Sequence, residues 1–177
     1  GTHYLNASNG DSVDSNGTFT MTGGIVAACG PSSGPNVAID VNASTTVSGG
    51  EFIATSSNSR MNEYPNGSAS QYSMAIMLSS PQSGNSIICI KDAGGNELIK
   101  YRAQRTFYAV IYSSPQLVYG ATYTVSAGGS VSGGTESNNI ISGGTYSGGS
   151  TIATITLNSS PTTVSGNFGG GGPGPGF

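Results

Sequence analysis

Charged side chains are scarce in this chain of 177 residues: they make up 7% of it, against about 25% in an average globular domain. Five Lys and Arg stand against eight Asp and Glu, which gives a net charge of -3. So few cations cannot neutralise a phosphate backbone, and nucleic-acid binding is therefore excluded as a function class. No apolar run approaches the ~20 residues that a membrane helix needs, so no membrane span is predicted.

Tryptophan is absent, histidine occurs once and cysteine twice. The single histidine, His3, lies near the N-terminus, and the chain contains no H-E-x-x-H, G-x-S-x-G or C-x-x-C motif. We therefore predict a protein that is not an enzyme and has no catalytic residues. Cys29 and Cys89 both lie in apolar, strand-like runs, which leaves open a disulfide in an oxidising compartment or two small buried hydrophobic residues.

What the chain does have is glycine, 29 residues of it, together with many serines, threonines and asparagines. This polar but uncharged composition is typical of secreted β-proteins and surface fibres. The sequence begins at Gly1 without a basic and then apolar leader, which favours a mature product. We expect an extracellular or cell-surface location.

Residues 13–27 and 39–53 form an internal repeat with a constant offset of 26 residues. The matched positions are Asp14 with Asp40, Asn16 with Asn42, and Gly23-Gly24 with Gly49-Gly50. Each repeat alternates small polar with apolar residues and then turns at a Gly-Gly corner, which is a β pattern. A fixed period in this range is typical of a solenoid. The sequence therefore predicts an all-β fold in which residues 1–58 form a short right-handed parallel β-helix with its asparagines stacked in a ladder.

After the polar break at residues 58–70, apolar runs alternate with turn-like separators. The predicted strands are Tyr72–Leu78, Ile87–Lys91, Glu97–Arg102, Phe107–Tyr112 and Ala121–Ala127. We expect residues 70–128 to form an antiparallel β-meander that caps the β-helix. Residues 129–177 are predicted as a Gly/Ser-rich extension with a C-terminal strand at 151–157 and a Gly/Pro-rich tail.

Two stretches resemble a known family. The segment G-D-S-V-D-S-N-G-T at residues 10–18, followed by M-T-G-G at 21–24, is similar to the motif G-D-x-[IV]-D-S-N-G-x-[IL]-x-[IL]-x-G-G of a secreted bacterial family of carbohydrate-binding β-helix proteins. The stretch S-S-P-Q-L-V-Y-G-A-T-Y-T at 113–124 resembles that family's S-S-P-x-L-x-x-G-x-T-Y-T motif. The resemblance implies a calcium-bearing right-handed parallel β-helix that binds plant-wall polysaccharides of the cellulose and pectin type, without established catalysis.

The predicted cofactor is Ca²⁺. Through the resemblance, Asp11, Asp14 and Asn16 match the calcium-facing positions of the motif, and Asp40 matches through the internal repeat. Oxygen ligands of this kind suit Ca²⁺, and stacking Asp14 on Asp40 at a strand spacing of ~4.8 Å would place two like charges that need a counter-ion. The other interpretation is that these side chains cap turns at the coil corners.

A second candidate site combines cations and tyrosines in the meander. Its residues, predicted to bind carbohydrate or to form an interface, are Lys100, Arg102, Arg105, Tyr101, Tyr108 and Tyr112. The basic cluster suits an acidic polysaccharide or docking onto the acidic N-terminal part of another copy, and a solvated hairpin is the alternative. Phe107–Tyr112 is apolar or aromatic on both faces, which predicts either an aromatic platform or a strand buried on both sides.

Two functions follow from these patterns. The first is a non-catalytic extracellular structural protein that self-assembles head to tail into a surface filament, because open strand edges template another chain. Strand addition by the C-terminal strand and tail would join the subunits through Ile152, Ile155, Leu157, Phe168 and Phe177. The second is a monomeric, calcium-dependent carbohydrate-binding module for cellulose or pectin. The predicted partners are further copies of the chain and polysaccharide.

Overall fold

A computed structural model describes residues 1–58, 62–65 and 70–159 and the backbone of residues 162–164. In chain order the strands are β1 (Thr2–Asn6), β2 (Val13–Ser15), β3 (Thr18–Cys29), β4 (Ile39–Val41), β5 (Ser44–Ser56), β6 (Ser73–Gln82), β7 (Ile87–Asp92), β8 (Glu97–Arg102), β9 (Phe107–Ser113), β10 (Thr122–Ser132), β11 (Thr135–Ser137), β12 (Ile140–Ser142), β13 (Thr145–Thr156) and β14 (Thr162–Val164). The all-β class is therefore confirmed. None of the described segments forms a helix with the length and hydropathy of a membrane span.

The strands form three sheets. The first sheet has the order β1-β3-β5-β9-β6-β14 and mixes parallel with antiparallel pairs. The second sheet has the order β11-β12-β8-β7-β10-β13 and all its pairs are antiparallel. The third consists of β2 and β4 alone, paired in parallel.

The two matched stretches of the sequence lie side by side. We call residues 13–22 the first unit and residues 39–48 the second unit. Asp14 pairs with Asp40 between β2 and β4, and β3 runs parallel to β5 with the same offset of 26 residues on either side of the corner, where the register shifts and Thr22 pairs with Gly49. Gly24 and Gly50 both have a φ of +81°, so each corner uses the left-handed conformation that glycine tolerates best. The predicted register of the repeat is confirmed.

The predicted right-handed parallel β-helix is wrong. A third coil would have to pair in parallel with the second, but β9 occupies that edge of β5 and runs antiparallel to it over Phe52–Ser56. The carboxylate of Glu63 accepts the backbone N–H of Val41 at 2.6 Å, so β4 also has a side chain where a further coil would bond. The parallel stacking therefore stops after two units, and none of the three sheets closes on itself.

The antiparallel cap predicted for residues 70–128 does not form either. Its strands are divided between the two large sheets: β6 and β9 join the first, whereas β7, β8 and β10 join the second. The two sheets pack face to face, and their main core contains side chains from both. Its largest fully buried members include Tyr101, Tyr112, Phe107, Ile53 and Ile90.

The first sheet is buried on its other face as well. A second core lies between that sheet and the β2–β4 pair, and it includes Val13, Met21, Ile39, Phe52 and Ile111. A third, smaller cluster on the second sheet contains Ile87, Cys89, Ile141 and Tyr146. The fold is therefore layered, with the first sheet buried on both faces.

Candidate interaction surfaces

Two carboxylates that flank the two units, Asp11 and Glu63, bond to backbone amides beside Asp40. Asp11 accepts the backbone N–H of Val37 at 2.5 Å, and Glu63 accepts that of Val41. Burial raises the pKa of Asp11 and of Glu63 above their ordinary values; the backbone amides oppose this shift, and the negative charge of Asp40 adds to it. The carboxylates of Asp11 and Glu63 are therefore coupled electrostatically to Asp40, whose charge disfavours the ionisation of both.

This cluster does not fit a calcium cage as it stands. No three His, Cys, Asp or Glu side chains in the described part of the chain come together in a metal-binding group. Asp11 is engaged by a backbone amide, and the side-chain oxygen of Asn16 accepts a hydrogen bond from Asn42 at 3.1 Å. These contacts agree with the alternative interpretation, that the acidic side chains cap turns. The bond between Asn16 and Asn42 is the predicted asparagine ladder. Calcium binding stays a prediction.

The predicted basic cluster is largely compensated by carboxylates of the second sheet. Lys100 is buried and lies 2.6 Å from Glu97, which also contacts Lys91 at 3.2 Å. Arg102 donates a forked pair of hydrogen bonds to Glu136. Lys91 and Lys100 share the one carboxylate of Glu97 and Arg102 pairs with Glu136, so most of the positive charge of this group is compensated within the fold.

Arg105 lies apart from that group. It donates to the side chain of Asn6 and to the backbone oxygen of Gly30, and it lies 3.4 Å from the sulfur of Cys29. It therefore fastens β1 to the turn that follows β3. This is a structural contact that its position in the sequence did not indicate.

Two of the three predicted tyrosines belong to the core. Tyr101 and Tyr112 are fully buried, and Tyr108 is half-buried. β9 contributes Val110 to the main core and Ile111 to the second core, so it is the strand buried on both sides rather than an aromatic platform. Burial raises the pKa of both core tyrosines far above that of free tyrosine.

An exposed apolar patch lies where the sequence analysis placed only a turn. Val118 is 58% exposed and Tyr119 is 63% exposed, in the loop between β9 and β10. The ring of Tyr119 lies 6.3 Å from that of Tyr72, at an angle of 42°. Leu117 in the same loop is buried in the main core, so the sequence did not indicate which of the loop's apolar residues would be exposed.

A half-buried carboxyl lies in the middle of β5, directly after its Gly-Gly corner. Glu51 accepts hydrogen bonds from the hydroxyl groups of Tyr112 at 3.2 Å and Ser114 at 3.4 Å, and burial raises its pKa. It lines a groove of about 310 Å³ between the sheets, together with Glu97 and several apolar residues of β8 and β12. Sequence reasoning missed this residue because it follows the Gly-Gly corner and has no acidic neighbour.

The predicted assembly strand is β13, at the edge of the second sheet. Ile155 and Leu157 are buried in the main core, and Ile152 is half-buried at a bulge where Val125 pairs with Ala153 and Ser126 with Thr151. Phe168 and Phe177, the other predicted assembly residues, lie outside the described residues.

A cleft of about 300 Å³ lies beside β13. Its lining includes Ile76, Leu78, Ile152 and Ala153, with serine, threonine and glutamine residues around them. β14 pairs with β6 only over Met74–Ile76, so the rest of that edge of β6 faces the cleft without a described strand.

Both cysteines are free and buried. Cys89 belongs to the third cluster, whereas Cys29 lies beside Arg105 at the end of β3. Burial, with the charge of Glu97, raises the pKa of the Cys89 thiol to about 11. The two residues are thus placed as small hydrophobic side chains, the second of the two alternatives.

No family model, no curated protein and no solved structure matches this chain. The resemblance to carbohydrate-binding β-helix proteins therefore stays a prediction. The function has to be argued from the surfaces described above.

Proposed function

We propose that this chain is a non-catalytic extracellular structural protein whose copies join by strand addition into a head-to-tail filament. The observation that carries the proposal is the outer edge of β13. This strand is 12 residues long and contains neither a charged residue nor a proline. No described strand pairs with its outer side.

Edge strands of soluble proteins are usually protected, because unpaired backbone groups bind other strands. The common protections are a lysine or other charge, a proline, a bulge or a very short strand. Of these, β13 has only the bulge at Ile152, and this residue lines the cleft rather than covering the edge. Backbone hydrogen bonds along such an edge each contribute about 0.5–1.5 kcal/mol net.

The cleft beside β13 supplies the apolar part of the interaction. A strand added to β13 would place every second side chain over the lining formed by Leu78, Ile152 and Ala153. Because the cleft is lined without a charged side chain, it favours small or β-branched uncharged residues. The chain itself is rich in such residues, which makes another copy the natural partner.

The complementary edge is β1, at the far end of the first sheet. Its five residues, Thr2–Asn6, contain no lysine, arginine, aspartate or glutamate. A contact between β13 of one copy and β1 of the next joins two different surfaces, so it repeats without closing and gives a filament. Pairing of β13 with itself would instead give a closed dimer.

Light scattering and negative-stain microscopy test the proposal on the purified chain. A double variant with Thr151→Lys and Thr154→Lys places two charges on β13, where both side chains are exposed. The control is Thr124→Lys, on the neighbouring strand β10 directly opposite Thr154. We expect filaments from the wild type and the control and single particles from the double variant. Dispersed wild-type particles under every condition, or filaments from the double variant, would refute the proposal.

The exposed patch supports a second candidate function, binding of a polysaccharide. The rings of Tyr119 and Tyr72 lie next to each other. A tyrosine ring is apolar and carries a polar hydroxyl group, which suits a sugar that has an apolar face and hydrated hydroxyl groups. Val118 extends the apolar surface beside them.

A pull-down on insoluble cellulose and on immobilised polygalacturonate tests this second function. Tyr119→Ala removes the exposed ring, and Tyr119→Phe, which keeps the ring, is the matched control. Retention of the wild type and the control, with loss of Tyr119→Ala, is the expected result. Equal retention of all three proteins, or none of any, would count against a site at Tyr119.

A further inference from the structure

The two units share a backbone path but differ in how much of each is covered. Asp14 in the first unit is exposed, whereas its partner Asp40 is half-buried. Thr20 is exposed, whereas its partner Thr46 is half-buried. The same side chains at the same register positions thus have different surroundings, and the difference lies on the outer side of the first unit.

The second unit is covered on both sides. The first unit lies against one side of it, and on the other side Glu63 bonds to Val41, Tyr64 packs against the second core and Asn62 is buried. The first unit has no such cover among the described residues. β2 is the edge of a two-stranded sheet, and β1 pairs with β3 only from Ile25 onward.

The open side of the first unit offers a defined set of hydrogen-bonding groups. The N–H of Val13 donates to the C=O of Ala38, just before the second unit, and the C=O of Ser15 accepts the N–H of Asn42 within it. Since backbone groups alternate in direction along a strand, those of Asp14, between them, point to the open side. The side chain of Asn16 accepts from Asn42, which leaves its own amide N–H₂ to donate to a further asparagine.

We infer that the open edge of the first unit binds, in parallel, an extended segment of another polypeptide that carries the sequence pattern of the second unit. The structure already contains the pairing in question, because the second unit lies on the first with Asn42 bonded to Asn16. A third segment of the same pattern would meet the same strand spacing, the same corner and the same asparagine ladder. This inference does not depend on the proposed assembly through β13.

Charge refines the kind of segment that fits. Asp14 already lies beside Asp40, and a third aspartate at the same register position would add another like charge. A segment with asparagine at that position avoids the repulsion and keeps a polar group at the turn. The favoured occupant is therefore an uncharged strand of the form I-N-V-N-A-S-T-T-V-S, which is residues 39–48 with asparagine in place of Asp40.

A labelled peptide of that sequence, titrated with the full chain in a fluorescence-polarisation assay, tests the inference. The chain carries Thr151→Lys and Thr154→Lys, so that strand addition at β13 does not contribute. We expect saturable binding, which the parent sequence with aspartate shows more weakly. Asn16→Ala should weaken binding about fivefold, the size of one net hydrogen bond.

Two substitutions at matched positions complete the design. Thr20→Lys places a charge on the open edge and should abolish binding, whereas Thr46→Lys, one strand further in, should leave it within about twofold. Circular dichroism confirms that each variant is folded, and Asn16→Ala remains informative if Thr20→Lys is not. Absence of binding up to about 1 mM peptide, or equal binding of a scrambled peptide, would overturn the inference.

Discussion

The hydroxyl group of Tyr146 occupies the space next to Gly149 in which any other residue would place its β-carbon. Tyr146 packs against Ile87, Cys89 and Ile141 in the third cluster, and the ammonium group of Lys91 lies 5.6 Å from its ring centroid. The strand β13 can therefore hold this ring over the second sheet only because residue 149 has no side chain.

We accordingly expect Gly149→Ala to destabilise the fold by about 1–3 kcal/mol, the usual cost of overpacking. Thermal or urea denaturation measures the change, with Ser150→Ala at the next, exposed position as the control. In a Tyr146→Leu background the same glycine substitution should cost much less. Equal costs in the two backgrounds would show that the ring and Gly149 do not interact.

The repeat shows how far sequence reasoning reaches. A slip of one residue would turn buried side chains outward, and the Gly-Gly corners of the two stretches coincide only at the offset of 26 residues, so the contact between Asp14 and Asp40 was predictable. Strand positions were also accessible: Glu97–Arg102 was predicted with the bounds that the structure has. The register of the repeat and the bounds of this strand both follow from the alternation of apolar and polar residues within a short segment of the sequence.

Which strands join which sheet could not be predicted from the sequence in the same way. That β9 pairs with β5, with Thr55 opposite Val110, depends on which distant edges meet, and no local pattern encodes this. The same limit applied to the predicted sites. The sequence of an aromatic strand such as β9 is the same whether its rings are exposed or buried. In the structure, Tyr112 is buried because β9 lies in the interior of the first sheet.

Stability should rise as the pH falls from neutral toward the ordinary carboxyl range. Burial raises the pKa of Asp11, Glu51 and Glu63 in the folded chain above the unfolded values, which are 3.8 for Asp11 and 4.5 for the two glutamates. At a pH between the unfolded and the folded pKa of such a group, the native state binds more protons than the unfolded state. The stabilisation is complete below the unfolded pKa values and is lost as the pH rises through the folded ones.

Other carboxyls limit this trend at lower pH. Burial alone would raise the pKa of Glu97, but Lys100 and Lys91 outweigh it and hold that pKa below its usual value. Its contribution is present above the unfolded pKa and is lost as the pH falls through the folded pKa. Urea unfolding at several pH values should show a maximum on the acid side of neutral, and Glu51→Gln should flatten the slope above it. A maximum that stays at neutral pH would contradict the burial of these carboxyls.

Calcium and the acidic cluster can be separated with one substitution. Asp40→Asn removes the charge that helps to raise the pKa of Asp11 and Glu63, so without calcium we expect it to stabilise the fold by about 0.5 kcal/mol. Melting curves in a chelator and in excess Ca²⁺ then distinguish two cases. If calcium binds, the wild type gains stability by mass action and the variant gains less. If the side chains only cap turns, the two melting temperatures keep the same order in both buffers.

Glu63 ends the second unit, and its removal should have two separable effects. Glu63→Ala leaves the buried N–H of Val41 without its acceptor, which should cost about 1–3 kcal/mol in denaturant unfolding. Glu63→Gln keeps an acceptor oxygen at the same distance and removes the charge near Asp40 and Asp11, so it should cost far less. Because the alanine variant also opens an edge that the side chain had blocked, it should associate more readily than the glutamine variant in light scattering at equal concentration. Equal stability of the two variants would mean that the carboxylate of Glu63 does not hold the edge of β4.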